Sequence, residues 1–161
     1  MGINKLAVVG ATGNVGREML NILSERDFPC EEVIALASER SEGDAVPFGN
    51  KELIVQNLSS YDFSETSIAL FSAGGQISEV YGPIAAEQGC IVIDNSSKFR
   101  MDNDVPLIVP EVNIEMLEHY RTTNIIANPN CSTIQMVVAL KPLEDLASIN
   151  RINVSTYQST S

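Results

Sequence analysis

Cys131, in the run Asn128-Pro129-Asn130-Cys131-Ser132-Thr133, lies directly between an apolar strand-like segment and an apolar helix-like one. A thiol in the first turn of a helix faces backbone N–H groups without intrahelical partners and the positive end of the helix dipole. That is a setting in which cysteine becomes a nucleophile. Asn130 can supply an amide, and the helix start a backbone N–H, to an oxyanion forming on an attacked carbonyl. The same residues also read as a plain helix start, with Asn130 as its cap and Cys131 buried and inert, and spacing alone does not decide between the two. The other cysteines lack such a setting: Cys30 reads as small apolar filler after Pro29, and Cys90 as a buried residue at the start of a strand. His119, the single histidine, ends a short helical stretch, where a surface role at the negative helix end accounts for it. If Cys131 needs a histidine base, that base is expected outside this chain.

A second chemistry is phosphate binding. Val8-Val9-Gly10-Ala11-Thr12-Gly13-Asn14-Val15-Gly16 follows a strand and opens a helix, so its glycines permit a tight turn and close approach of backbone to a pyrophosphate on the helix N-terminus. The spacing is G-x-x-G-x-x-G, and in this context it points to a dinucleotide, with a structural turn or a mononucleotide site as alternatives. After the second strand comes Ala37-Ser38-Glu39-Arg40-Ser41. Arg40 with the hydroxyls of Ser38 and Ser41 suits a 2′-phosphate and hence NADP. Equally, Glu39 could hold a ribose and Arg40 could be a solvated loop residue. Ser72-Ala73-Gly74-Gly75 ends a central strand, either against the cofactor or as an ordinary loop. Asp94-Asn95-Ser96-Ser97-Lys98-Phe99-Arg100 places two cations at the same edge, where Arg100 or Lys98 could clamp a phosphate or carboxylate, or the stretch could be a surface loop.

These loops need elements to position them. Strand patterns cover residues 5–10, 32–37, 53–57, 68–72, 91–94 and 125–127, and helical patterns cover 15–26, 78–88, 110–120 and 132–147, the last interrupted at Pro142. Alternation of the two predicts an α/β fold, a Rossmann-like doubly wound and mostly parallel sheet. A boundary is expected near residue 130, with residues 1–130 as the dinucleotide-binding domain. Residues 131–161 would begin a second, truncated α+β domain, since the chain closes on an alternating strand pattern at 149–157.

Ten basic residues stand against 21 acidic ones, a net charge of −11, and no Lys/Arg cluster could track a nucleic-acid backbone. No apolar run reaches about 18 residues and the first residues lack a signal-peptide pattern, so a cytoplasmic protein without a membrane partner is expected. The three widely spaced cysteines argue against a disulfide framework or a metal site.

Taken together, Gly10 to Gly16, Ser72 to Gly75, Asp94 to Arg100, Pro110-Glu111-Val112-Asn113, Asn128 to Thr133 and Ser155-Thr156-Tyr157-Gln158-Ser159 make the whole chain resemble the N-terminal part of the aspartate-semialdehyde dehydrogenases. The resemblance implies that Thr12, Gly13, Asn14 and Val15 bind NADP phosphates, that Arg40 and Ser41 hold the 2′-phosphate, and that Ser72, Ala73 and Gly74 contact the cofactor. It implies that Arg100 binds phosphate, Gln158 positions the substrate and Cys131 forms an acyl-thioester. The reaction would be NADPH-dependent reduction of L-aspartyl 4-phosphate to aspartate 4-semialdehyde with release of inorganic phosphate, supplying lysine, methionine and threonine synthesis. Members of that family are longer, with a second domain that holds the histidine base and much of a dimer interface. The resemblance thus implies a homodimer or higher homo-oligomer for the intact protein, and a chain that alone binds NADP weakly at best and does not turn over. The nearest rival in the same chemistry is N-acetyl-γ-glutamyl-phosphate reductase, and a rival of another class is a non-catalytic dinucleotide-binding module.

Overall fold

In β1 (Ile3–Val9) the side chains of Leu6 and Val8 fall on one face of the sheet and those of Ala7 and Val9 on the other, and all four are buried. A strand that is apolar on both faces has to be covered on both, which a parallel sheet with helices front and back provides. The computed structural model describes residues 2–157 and has that arrangement. Six parallel strands run in the order β5-β2-β1-β6-β7-β8, with β2 at Cys30–Ala37, β5 at Gln56–Asn57, β6 at Thr66–Phe71, β7 at Ile91–Asp94 and β8 at Ile125–Ala127.

Period-two alternation divides the core into two layers. Leu6, Val8, Ala35 and Ala37 meet Leu20 and Leu23 of α1 (Asn14–Glu25) and Val46 of a hairpin, β3 (Ala45–Phe48) with β4 (Lys51–Ile54). Ala7, Val9, Leu36, Ala69, Phe71 and Val92 meet Ala85 and Ala86 of α2 (Gly75–Glu87), with Phe63 and Phe99. Full burial of a leucine such as Leu20 is worth about 2 kcal/mol, so each helix is held mainly by its sheet-facing stripe. The chain winds first toward β2 and then, through β6, to the other side of β1. The carboxyl ends of β1 and β6 therefore flank the crevice where doubly wound folds bind ligands.

Several local expectations are corrected. Residues 53–57 are divided: Leu53 and Ile54 pair antiparallel with β3, and only Gln56 and Asn57 join the main sheet, beside Leu36 and Ala37. The hairpin was masked by Pro47, whose type argues against a strand. The helix expected at 78–88 starts at Gly75, and residues 110–120 form one α turn, α3 (Pro110–Asn113), followed by a 3₁₀ stretch at Ile114–Thr122. α4 (Cys131–Leu146) runs through Pro142 without interruption. Pro142 has no N–H to offer the Val138 carbonyl, but Val138 is exposed and water can reach it. Residues 149–157 are not a strand: they are irregular, and 151–157 are exposed, because no described strand lies beside them to complete a ladder. α4 rests on α3 and buries none of its side chains.

Candidate active site at the carboxyl edge of the sheet

The turn from β1 into α1 is set by backbone packing. Gly10 has φ of +85°, and a Cβ there would lie 3.0 Å from Ala73 N, Ser72 C and Ser72 Oγ, so this loop rests directly on the exit of β6. Gly10 N and Ala11 N donate to Leu36 O, and Ser72 N and Oγ both donate to Val9 O, which ties the exits of β1, β2 and β6 together. α1 begins after Gly13, so the first-turn N–H groups of Asn14 and Val15 have no intrahelical acceptor and supply the dipole end that attracts anions.

Beside this turn lies a cleft of about 560 Å³, within the range of nucleotide-sized sites. Gly10, Thr12, Gly13, Ser38, Ser72 and Ala73, all candidates from the sequence, line it. The fit to a dinucleotide rests on this cradle of glycine and small side chains beneath a helix N-terminus. Asn14, Val15, Arg40, Ser41 and Gly74 do not line the cleft, whereas Glu39 does. Glu39, Arg40 and Ser41 form one 3₁₀ turn, and Arg40 is exposed. Gly74 caps α2.

The second group forms where β7 and β8 end. Asn128 Nδ2 donates to Asn95 Oδ1 at 2.7 Å, and Asn128 N donates to Asp94 O at 2.8 Å. Arg100 is half-buried across these two loops, its Nε donating to Asn128 O and its Nη2 to Asn95 O, both at 2.9 Å. Its Nη1 donates to no described residue. Lys98 is committed elsewhere, in an exposed ion pair with Glu79 of α2. Of the two cations weighed from the sequence, the structure therefore joins Arg100, not Lys98, to the Asn128–Cys131 segment.

Cys131 opens α4 and is exposed. Asn130 is the N-cap: its Oδ1 accepts from Ser132 N at 3.0 Å and Ser132 Oγ at 2.6 Å, with Cys131 Sγ 3.9 Å away. Asn130 thus caps the helix, as the plain helix-start reading expects, while Cys131 is exposed rather than buried. The other two thiols are muted. Burial pushes Cys90 up to about 12 and raises Cys30 as well, with Lys51 partly opposing the latter. His119 is exposed in the last turn of the 3₁₀ stretch. Gln158 lies outside the described residues.

Because the strands are parallel, all these loops share one edge. β8 lies two strands from β6, about 10 Å across the sheet, so the Cys131 segment and the cleft are within the span of an extended dinucleotide. The sequence reading missed Asn57, Leu58, Ser59, Ile77 and Tyr81 in the cleft wall. Ile77 and Tyr81 are spaced i, i+4 on α2 and helix periodicity could have found them. Asn57 to Ser59 arrive through the pairing of β5 with β2, which no local pattern announces. Among the described residues no group of three or more His, Cys, Asp or Glu could hold a metal ion, and no helix is long and apolar enough to cross a membrane.

Comparison with known proteins agrees with this geometry. Residues 5–120 match the family described as semialdehyde dehydrogenase, NAD binding domain. The chain is 59% identical over 156 residues to aspartate-semialdehyde dehydrogenase 2 of Vibrio cholerae, covering 97% of this chain and 46% of that protein. It therefore spans about half the length of the curated relatives it matches. A crystal structure of aspartate semialdehyde dehydrogenase II from V. cholerae, complexed with ASA, superposes with a TM-score of 0.87 at 57% identity, covering 90% of this chain and 47% of that one. The Candida albicans enzyme with NADP superposes with a TM-score of 0.79 at 26% identity, covering 91% and 48%.

Proposed function

The chain belongs to the semialdehyde dehydrogenase family, and on that premise we propose that it is the cofactor-binding and nucleophile-bearing part of an NADP-dependent aspartate-semialdehyde dehydrogenase, cytoplasmic and, when intact, a homodimer or higher homo-oligomer. The observation that carries the reading is the placement of exposed Cys131, at the capped start of α4, on the same sheet edge as the glycine-lined cleft. Residues 1–130 would be the nucleotide domain, and residue 131 the start of the catalytic one.

In this reading Cys131 Sγ attacks the acyl carbon of L-aspartyl 4-phosphate. The C–S bond forms, the bond from carbon to the phosphate oxygen breaks, and inorganic phosphate leaves. Arg100, oriented by Asn95 O and Asn128 O, offers Nη1 to the departing phosphate. Asn130 uses Oδ1 as the helix cap and keeps Nδ2 as a donor to the oxyanion. A bound NADPH would supply a hydride to the thioester carbon, after which the C–S bond breaks, releasing the aldehyde and returning the Cys131 thiolate. Gly10, Thr12, Gly13, Asn14 and Val15 would hold its pyrophosphate at the start of α1, and Ser72, Ala73 and Gly74 would border its nicotinamide half. Ser38, Arg40 and Ser41 would take the 2′-phosphate, with Arg40 swinging over the cleft that Glu39 now lines.

The test is phosphate-dependent reduction of NADP by aspartate semialdehyde in the full-length protein, with Cys131→Ala as control. Activity abolished by Cys131→Ala is the expected result. Activity on the N-acetyl-γ-glutamyl substrate alone, or survival of activity in Cys131→Ala, overturns the assignment.

A further inference from the structure

The last residue of β7 breaks the pattern of its strand. Val92 contributes to the apolar layer under α2, and two residues on, facing the same way, stands Asp94, fully buried. Its carboxyl group contacts no cation among the described residues. Oδ1 accepts from Ser78 Oγ of α2 at 2.6 Å and from Ser96 N at 3.2 Å, and Oδ2 accepts from Ser96 Oγ at 2.6 Å. Taking a carboxylate out of water without an ion partner is costly, and an apolar residue would extend the core of Val92 and Phe71 more cheaply. The position therefore has a use other than stability.

That use is visible in what the carboxyl group organises. Ser96, held at both its N–H and its hydroxyl, passes the constraint on by accepting from Lys98 N at 3.1 Å. Asn95, between Asp94 and Ser96, donates its N–H to Phe71 O, receives Asn128 Nδ2 on its side chain and Arg100 Nη2 on its carbonyl. The β7 exit is thus fixed to α2, to β6 and to the segment leading to Cys131, and Arg100 is aimed by the same carbonyls. We propose that Asp94 is a positioning residue: its buried carboxyl group, through Ser78 and Ser96, sets the loop that holds Arg100 against the Asn128–Cys131 segment. The inference rests on the reading of Arg100 as the phosphate-binding residue.

The experiment uses the full-length enzyme with Asp94→Ala and Asp94→Asn, and inorganic phosphate as the probe. Asp94→Ala is expected to raise the phosphate KM and phosphate Kd at least about tenfold, with the KM for NADP within about twofold of wild type. Asp94→Asn keeps one acceptor oxygen and the side-chain shape, and is expected to recover most of the loss. Exchange of the Arg100 Nε–H, followed by NMR, is expected to accelerate in Asp94→Ala and not in Asp94→Asn. Equal loss in all kinetic constants and in folded fraction, an unchanged phosphate KM, or an unchanged Arg100 exchange rate overturns the proposal. The exchange arm needs no turnover. If wild type binds no phosphate, the reading of Arg100 fails, while faster exchange in Asp94→Ala still supports the link from Asp94 to Arg100.

Discussion

Gly16→Ala and Gly13→Ala separate a glycine that the fold requires from one that the proposed cofactor would require. A Cβ on Gly16 would lie 2.1 Å from Gly10 O, 2.8 Å from Gly10 C and 2.9 Å from Ala11 Cα. All three are backbone atoms, so no side-chain rotation relieves the clash. Carbon and oxygen settle at about 3.3 Å or more, so the loop must recede from α1 by roughly 1 Å. Forcing a methyl into a filled site costs about 1–3 kcal/mol, and the shift endangers the Gly13 N–H to Gly10 O bond, worth about 1 kcal/mol. Alanine returns about 1 kcal/mol of helix propensity, which leaves a net loss near 2 kcal/mol. At Gly13 a Cβ would meet only Gly10 O, at 3.4 Å, and φ of −78° suits alanine. The lost glycine N-cap and the reduced entropy of the unfolded chain offset each other to within about 0.5 kcal/mol. Gly13 lines the cleft, however, and a methyl there stands where a pyrophosphate would approach. In urea unfolding, Gly16→Ala is expected to lower the midpoint by about 1 M and Gly13→Ala to leave it nearly unchanged. In NADPH titration of the intact enzyme, Gly13→Ala is expected to weaken binding at least about tenfold. An unchanged midpoint for Gly16→Ala, or Gly13→Ala binding NADPH as wild type does, refutes the reasoning.

Alkylation followed by peptide mapping should modify exposed Cys131 first, half-buried Cys30 more slowly, and Cys90 only after unfolding; early modification of Cys90 contradicts its burial. The same burial has a linkage consequence. Cys90 remains a neutral thiol in the folded chain from its ordinary 9.0 up to about 12, while the unfolded chain gives up that proton. Its contribution to stability is therefore complete below pH 9 and declines from there toward pH 12, and Cys90→Ala should flatten that slope in pH-dependent unfolding. Glu39→Gln removes a negative charge from the cleft wall and should tighten NADP several-fold with little effect on NAD, while Arg40→Ala should weaken NADP selectively; equal effects on both cofactors would place the 2′-phosphate elsewhere. Asn130→Ala removes the cap of α4 at a cost of about 1 kcal/mol, and the fraying should show as a changed alkylation rate at Cys131.

Much of this site could be read from the chain because its signals are local. A strand, a glycine turn and a helix occupy consecutive residues from Ile3 to Glu25, and the steric demands of that turn are written in residue types. Asn130 before an apolar helix announces its cap in the same way. Period-two burial in β1 and β2 likewise fixes a sheet covered on both faces, hence the doubly wound class. What the chain could not announce depends on contacts between distant segments. Pairing of β5 with β2 brings Asn57 to Ser59 into the cleft, and the partition of Glu39 and Arg40, one lining it and one not, follows from the orientation of a single 3₁₀ turn. The exposed 151–157 stretch has strand-like alternation but no strand beside it, and alternation alone supplies no hydrogen-bond partners. Above all, Asp94 reads in the sequence as the polar end of a strand pattern that opens into a polar loop. Only the packing of α2 over β7, which brings Ser78 to its carboxyl group across sixteen residues, makes it a buried anchor for Arg100.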